Sequence, residues 1–358
     1  MQSLQKPPKD EWTKTLQDFV FDTYIVLGTG GSSLGGQTLC KLKRHTRIIF
    51  IENIDPVSID AYLETICFEK TGFIVISKSG ETAETLAQLG VFYQAFCHKQ
   101  NIHKHFRIIT TKEVSTLRYL ADRWSIPCID HPPTVGGRFS AFTAVGMVPA
   151  LLDQLPIQDF FSGAKTVLDN PCDALKGAAF VYEHYEKGHT QKVMMVYSDV
   201  LVTWSMWFRQ LWAESLGKDG KGSTPCVALG TVDQHSQLQL FAEGPPDKIY
   251  TFLGTNTQGK GKPISFNKVN HEGLHCFHEK TMGDLFYAEQ YATYQSLLNH
   301  KRPARLITLD TLDPFHMGQL MAHFMIETVI MADFMMIDAF SQPGVEESKR
   351  LTKLYLST

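Results

Sequence analysis

Four side chains in this 358-residue chain have the types and surroundings needed to move protons. Glu214 lies in Gln210-Leu-Trp-Ala-Glu-Ser-Leu-Gly-Lys218, near the end of a helical stretch whose apolar surface is Trp204, Trp207, Phe208, Leu211 and Trp212. The negative end of a helix dipole disfavours a carboxylate, which suits a base that abstracts a proton beside a carbonyl. The same glutamate is also spaced to pair with Lys218, one turn on. Arg138, in Val135-Gly-Gly-Arg-Phe-Ser140, stands on a glycine-rich loop. A guanidinium there could stabilise an oxyanion or remain a solvated charge. His235, in Gly230-Thr-Val-Asp-Gln-His-Ser236, marks a loop–helix junction and can pass a proton near neutral pH. Lys349 follows Pro343-Gly344 in the last helical segment, and in isolation is an ordinary surface lysine.

Two loops have the make-up of anion cradles. Gly28-Thr-Gly-Gly-Ser-Ser-Leu-Gly35 follows an apolar run and opens a helix, where free N–H groups point outward. Its third glycine comes too late for the dinucleotide fingerprint, and no Lys-Ser/Thr follows, so it is not a P-loop. A tight structural turn has the same look. Ser77-Lys-Ser-Gly-Glu-Thr82 is more telling, because it directly follows the apolar run Phe73–Ile76. Three hydroxyls (Ser77, Ser79, Thr82), the Lys78 ammonium and a helix start suit a phosphate dianion. Helix capping alone would need one hydroxyl. A phosphosugar fits better than a nucleotide, although Glu52 ends the second strand where a ribose-binding acid could lie. His271-Glu-Gly-Leu-His275 matches a zinc-protease pattern, but that pattern needs a helix. Gly273 in its middle and the loop-like residues 263–270 before it point to a polar loop, so no metal is expected.

These residues need elements to position them. Tyr24–Leu27, Arg47–Ile51, Phe73–Ile76 and Phe106–Thr110 read as strands, separated by helices at Ser32–Lys43, Pro56–Ile66 and Thr82–His98. The βαβ rhythm implies an α/β fold with a doubly wound parallel sheet and all βα loops at one edge. It pauses at His131-Pro-Pro-Thr-Val-Gly-Gly-Arg138 and restarts near Asn170. Helices at Ala174–Tyr185, Leu201–Leu216, Asp284–Leu298 and from about Pro314 then alternate with strands at Lys192–Tyr197, Lys248–Leu253 and Arg305–Leu309. The expected units are 1–160, 161–335 and a C-terminal helical segment 336–358. The halves share an architecture without an obvious repeat in sequence.

Bulk properties narrow the class. Net charge is −3 with pI near 6.5, which argues against a nucleic-acid partner. The seven cysteines are odd in number and lack a CxxC, as expected for a reducing cytoplasm. Residues 1–12 have no apolar stretch of the kind a secretory signal needs. Leu320–Phe340 is apolar but carries His323, Glu327, Asp333 and Asp338, so it reads as a buried helix and not a membrane span.

The order of the blocks resembles the phosphoglucose isomerase family over nearly the whole chain. The matching blocks are Gly28–Gly35, Phe50-Ile-Glu-Asn-Ile-Asp55, Ser77–Thr85, Val135–Ser140, Glu214–Lys218, Gly230–Ser236 and Gln342-Pro-Gly-Val-Glu-Glu-Ser-Lys349. The resemblance implies two sugar-isomerase (SIS) domains, each a three-layer α/β/α sandwich, with an active site between them. It assigns Ser77, Lys78, Ser79 and Thr82 to phosphate, and Gly31 and Ser32 to the sugar. Arg138, with Gly137 beside it, would steady an enediolate, and Glu214 would shuttle the proton. His235 and Lys349 would open the sugar ring, and Gln210 and Gln342 would flank the ligand. It also implies glucose 6-phosphate–fructose 6-phosphate isomerisation without cofactor, in a homodimer whose histidine comes from the neighbouring subunit. The chain looks like a short form, because its first strand begins early. Glu81 departs from the common phosphate-loop pattern and places a negative charge beside the phosphate. Ser215-Leu-Gly and Pro343 are further departures.

Overall fold

The computed structural model of the chain describes residues 9–267 and 269–357. The start of the expected first unit and Lys268, in the stretch read as a loop, lie outside the described residues.

The first half runs α1 (Lys9–Leu16), β1 (Thr23–Leu27), α2 (Leu34–Cys40), β2 (Ile48–Ile51), α3 (Pro56–Thr65), β3 (Thr71–Ile76), α4 (Ala83–Phe96), β4 (Phe106–Thr110), α5 (Thr116–Trp124), β5 (Cys128–Asp130), α6 (Ala144–Leu152) and α7 (Ile157–Asp169). The second runs α8 (Cys172–Glu186), β6 (Gln191–Tyr197), α9 (Leu201–Leu216), β7 (Thr224–Leu229), α10 (Val232–Ser236), α11 (Leu238–Glu243), β8 (Lys248–Thr255), α12 (Met282–Asn299), β9 (Ala304–Leu309), α13 (Pro314–Phe334) and α14 (Glu346–Leu356). The sheets are ordered β2-β1-β3-β4-β5 and β7-β6-β8-β9. Every pairing is parallel. The second order repeats the first four positions of the first, which gives the shared architecture of the halves a topological form. β3 is buried at all six positions, as a strand covered on both faces must be.

Local signals set the helix ends. Asp55 caps α3 ahead of Pro56, Asp313 caps α13 ahead of Pro314, and α12 opens with a Thr281–Asp284 capping box. Gly217 closes α9. The rhythm missed α5 with β5, α6 with α7, and β7. Pro225 disguises β7, but β7 is an edge strand, so the missing N–H breaks no ladder bond. Pro149 disguises α6, which is buried almost throughout. The expected limit between units at 160/161 falls inside α7. This helix packs against α13 so closely that a Cβ on Gly163 would lie 1.9 Å from the Phe315 carbonyl oxygen.

One apolar core joins the sheets. Val26, Ile74 and Ile76 of the first and Met194 and Val196 of the second share it with Trp204, Trp207, Phe208, Leu211 and Trp212 of α9. At the other end of the second sheet lies a buried charge cluster. The Glu327 carboxylate on α13 accepts from Lys192 (3.3 Å) and Arg305 (2.7 Å), and its other oxygen meets His323 (3.2 Å). Burial alone would raise the Glu327 pKa, but Arg305 and Lys192 hold it well below the usual carboxylate range.

Among the described residues no helix is long and apolar enough to cross a membrane. α13 is a core helix, buried through apolar residues such as Met317, Met321, Phe324 and Met325.

Replacing Glu327 by Gln leaves Lys192 and Arg305 buried beside a neutral amide. Urea unfolding at pH 7 is expected to show a loss of about 3–5 kcal/mol. The carboxylate's contribution is complete above its unfolded pKa, about 4.3, and lost as pH falls toward the folded value. The gap between wild type and variant should therefore narrow in acid.

Candidate active site

The phosphate-type loop hangs from the C-terminal end of β3, beside the point where the strand order reverses. Ser77 donates its hydroxyl hydrogen to Thr82 Oγ1 (3.0 Å), and the Gly80 N–H donates to Ser77 Oγ (3.2 Å). Thr82 occupies the N-cap position of α4 yet makes no side-chain cap bond, so capping does not use this hydroxyl. Ser79 turns onto the Glu81 N–H (3.2 Å). Burial lowers the Lys78 pKa, and the nearby Arg138 charge pushes the same way.

Glu81 does not burden the loop as its sequence position suggested. Its carboxylate accepts from the Thr116 N–H (2.6 Å) and hydroxyl (2.9 Å) at the start of α5. Those bonds hold its pKa below the usual carboxylate value.

The first glycine loop does a different job. A Cβ on Gly31 would sit 2.3 Å from the Gly137 carbonyl carbon, so only glycine allows this loop to touch the Arg138 loop. The Ser140 hydroxyl lies between the carbonyl oxygens of Gly31 (2.9 Å) and Gly137 (2.7 Å). Ser32 is half-buried in the same turn. Glu52 binds the Ser33 hydroxyl and the Gln37 amide (2.7 Å), which anchors the start of α2. His131 steadies the far side of the Arg138 loop through the Val135 carbonyl (3.0 Å), and burial lowers its pKa.

Arg138 is 1% exposed, not solvated, and all five of its N–H groups have acceptors within reach. Nε donates to Ser215 Oγ (2.9 Å). Nη1 donates to Glu214 Oε2 (3.2 Å) and Gln342 Oε1 (2.6 Å). Nη2 donates to the carbonyls of Ala339 (2.7 Å) and Ser341 (3.0 Å). Burial lowers the Arg138 pKa, and Glu214 pulls it back up. Gln210, one turn before Glu214, donates to Glu214 Oε1 (2.9 Å). Both oxygens of a carboxylate whose side chain is 31% exposed are thus oriented from the protein side. The partner of Glu214 is Arg138; Lys218 goes elsewhere, to the Ser215 (2.8 Å) and Asp338 (2.6 Å) carbonyls.

Arg138, Glu214, Gln210, Gln342, Gly31 and Gly137 come together. His235 and Lys349 do not join them within one chain. His235 is exposed on α10. Lys349 is exposed on α14 and bonded to Glu346 (2.7 Å). The geometry explains the histidine. α10 follows β7 and starts at the edge where β6 ends and α9 begins. At 1.5 Å per residue, α9 carries Glu214 about 20 Å from that edge. His271 and His275 lie in a 3₁₀ turn; Nδ1 of His271 accepts from the Gly273 N–H and His275 meets Asn270.

Sequence reasoning missed Ser215, Lys218 and the carbonyls of Ala339 and Ser341. Main-chain acceptors have no residue signature, and Lys218 looked like a helix-surface partner of Glu214.

Two parallel α/β units with matching strand orders form the sugar-isomerase (SIS) fold. Residues 9–357 match the family described as phosphoglucose isomerase. A glucose-6-phosphate isomerase of Rubrobacter xylanophilus is 35% identical over 350 residues, covering 92% of this chain and 81% of that protein. The crystal structure of a hypothetical protein from Thermus thermophilus superposes with a TM-score of 0.89 at 31% identity, covering 98% of this chain and 87% of that one. A Chlamydia trachomatis glucose-6-phosphate isomerase shares the fold, with a TM-score of 0.81 at 22% identity over 98% of this chain and 73% of that one. The chain belongs to the phosphoglucose isomerase family.

Arg138→Lys removes the planar fork and can satisfy only part of the acceptor set. Urea unfolding is expected to show a loss of about 2–4 kcal/mol.

Proposed function

We propose that this protein interconverts glucose 6-phosphate and fructose 6-phosphate through a cis-enediolate, as an aldose–ketose isomerase of glycolysis and gluconeogenesis. The observation that carries the reading is the Glu214 carboxylate, oriented by Gln210 and Arg138 and partly open to solvent. The loop Ser77, Lys78, Ser79 and Thr82 binds the phosphate. His235 and Lys349 pass protons between the ring oxygen and the anomeric hydroxyl, which opens the ring. Glu214 takes the proton from C2, and negative charge develops on the carbonyl oxygen. Arg138 stabilises that charge electrostatically. The proton of the C2 hydroxyl passes to the charged oxygen on C1, and Glu214 returns its proton to C1 as the C2 carbonyl forms, so no net proton is gained or lost. Gly31, Ser32, Gly137, Gln210 and Gln342 line the sugar.

The reading includes a cytoplasmic homodimer in which a second copy supplies His235. Its support is the length of α9, which separates His235 from Glu214 within one chain, and the exposure of His235.

Glu214→Gln should lower kcat about 10²–10⁴-fold while phosphosugar binding stays intact. A coupled assay for fructose 6-phosphate, run with and without a chelator, checks it; near wild-type turnover would overturn the role of Glu214. Mixing His235→Ala with Glu214→Gln chains, after unfolding and refolding together, should regenerate activity, because one site of each hybrid dimer is then intact. No recovery would sink the shared site.

A further inference from the structure

The segment after α13, residues 335–342, buries Met335 and Ala339 in the core and is also held through its main chain. Lys221 donates to the Met335 carbonyl (2.8 Å) and Lys218 to that of Asp338 (2.6 Å). Arg138 donates to those of Ala339 and Ser341. The Asp338 carboxylate turns back to accept the Phe340 (2.9 Å) and Ser341 (3.2 Å) N–H groups. Residues 341–350 are exposed, and α14 buries none of its side chains.

This strap and the base share one cation. Lys218 Nζ bonds the Ser215 carbonyl, next to Glu214 at the end of α9, and the Asp338 carbonyl of the strap. We infer that Lys218 is a positioning residue for the reaction: it locks the end of α9, which carries Glu214, in fixed register with the strap that presents Gln342 and launches the helix bearing Lys349. The inference rests on the isomerase reading. A lysine suits the task because three donors on a long stem can serve two carbonyls from different segments. Lys218 touches no reacting atom, so its effect runs through the groups it aligns.

Lys218→Met keeps the stem and removes the donors. Expected is a fall in kcat on glucose 6-phosphate of about 10- to 100-fold per folded enzyme, the scale of a misplaced catalytic group. KM should change little, because the phosphate loop keeps its own bonds. Lys218→Arg, which can still reach both carbonyls, should recover most of the loss. Amide hydrogen exchange at Phe340 and Ser341 should quicken about tenfold in the Met variant. A Met variant with wild-type kcat and unchanged exchange overturns the inference, as does a loss that follows only the fraction of folded protein. If the wild-type enzyme does not isomerise glucose 6-phosphate, the functional reading falls. Exchange alone then decides whether Lys218 locks the strap.

Discussion

A buried guanidinium is the constraint on which this site depends. Removing Arg138 from water is unfavourable, and the structure offsets it by giving each N–H an acceptor. Those acceptors come from α9, from the strap after α13 and from Gln342, whereas Arg138 belongs to the first unit. Three separate regions of chain are therefore fixed relative to one another by one side chain. The close approach of Gly31 to Gly137 adds the first glycine loop to the same junction. Glu214 inherits its orientation from this arrangement.

The two sheets have matching strand orders but serve the site from opposite ends. The first sheet offers its C-terminal edge, through the loop after β3. The second offers the far end of α9, beside the N-terminal edge of β6, where Lys192 packs over the Trp212 ring at 4.6 Å. The charge cluster around Glu327 and the aromatic face of α9 thus fix the helix from beneath. The C-terminal edge of the second sheet is left to α10 and His235, facing away from Glu214.

Much of the fold was visible in the sequence, because parallel strands buried on both faces must be continuously apolar. β4 and α9 were read with their observed bounds, and most others within a few residues. Elements that carry proline escaped: β7 tolerates Pro225 only as an edge strand, and α6 tolerates Pro149 inside a buried helix. Both exceptions depend on neighbours distant in the chain.

For the site, the sequence by itself determined the chemistry on offer: a glutamate at a helix end, an arginine among glycines, and a hydroxyl-rich loop after a buried strand. Residue types and short-range spacing suffice for that, since backbone geometry over a few residues is local. Only the tertiary structure decided the pairings. Glu214 takes Arg138 as its partner, Glu81 turns away to cap α5, and Lys218 binds main-chain carbonyls. Each choice is set by burial and by acceptors tens to hundreds of residues away, and carbonyl acceptors are common to every residue type.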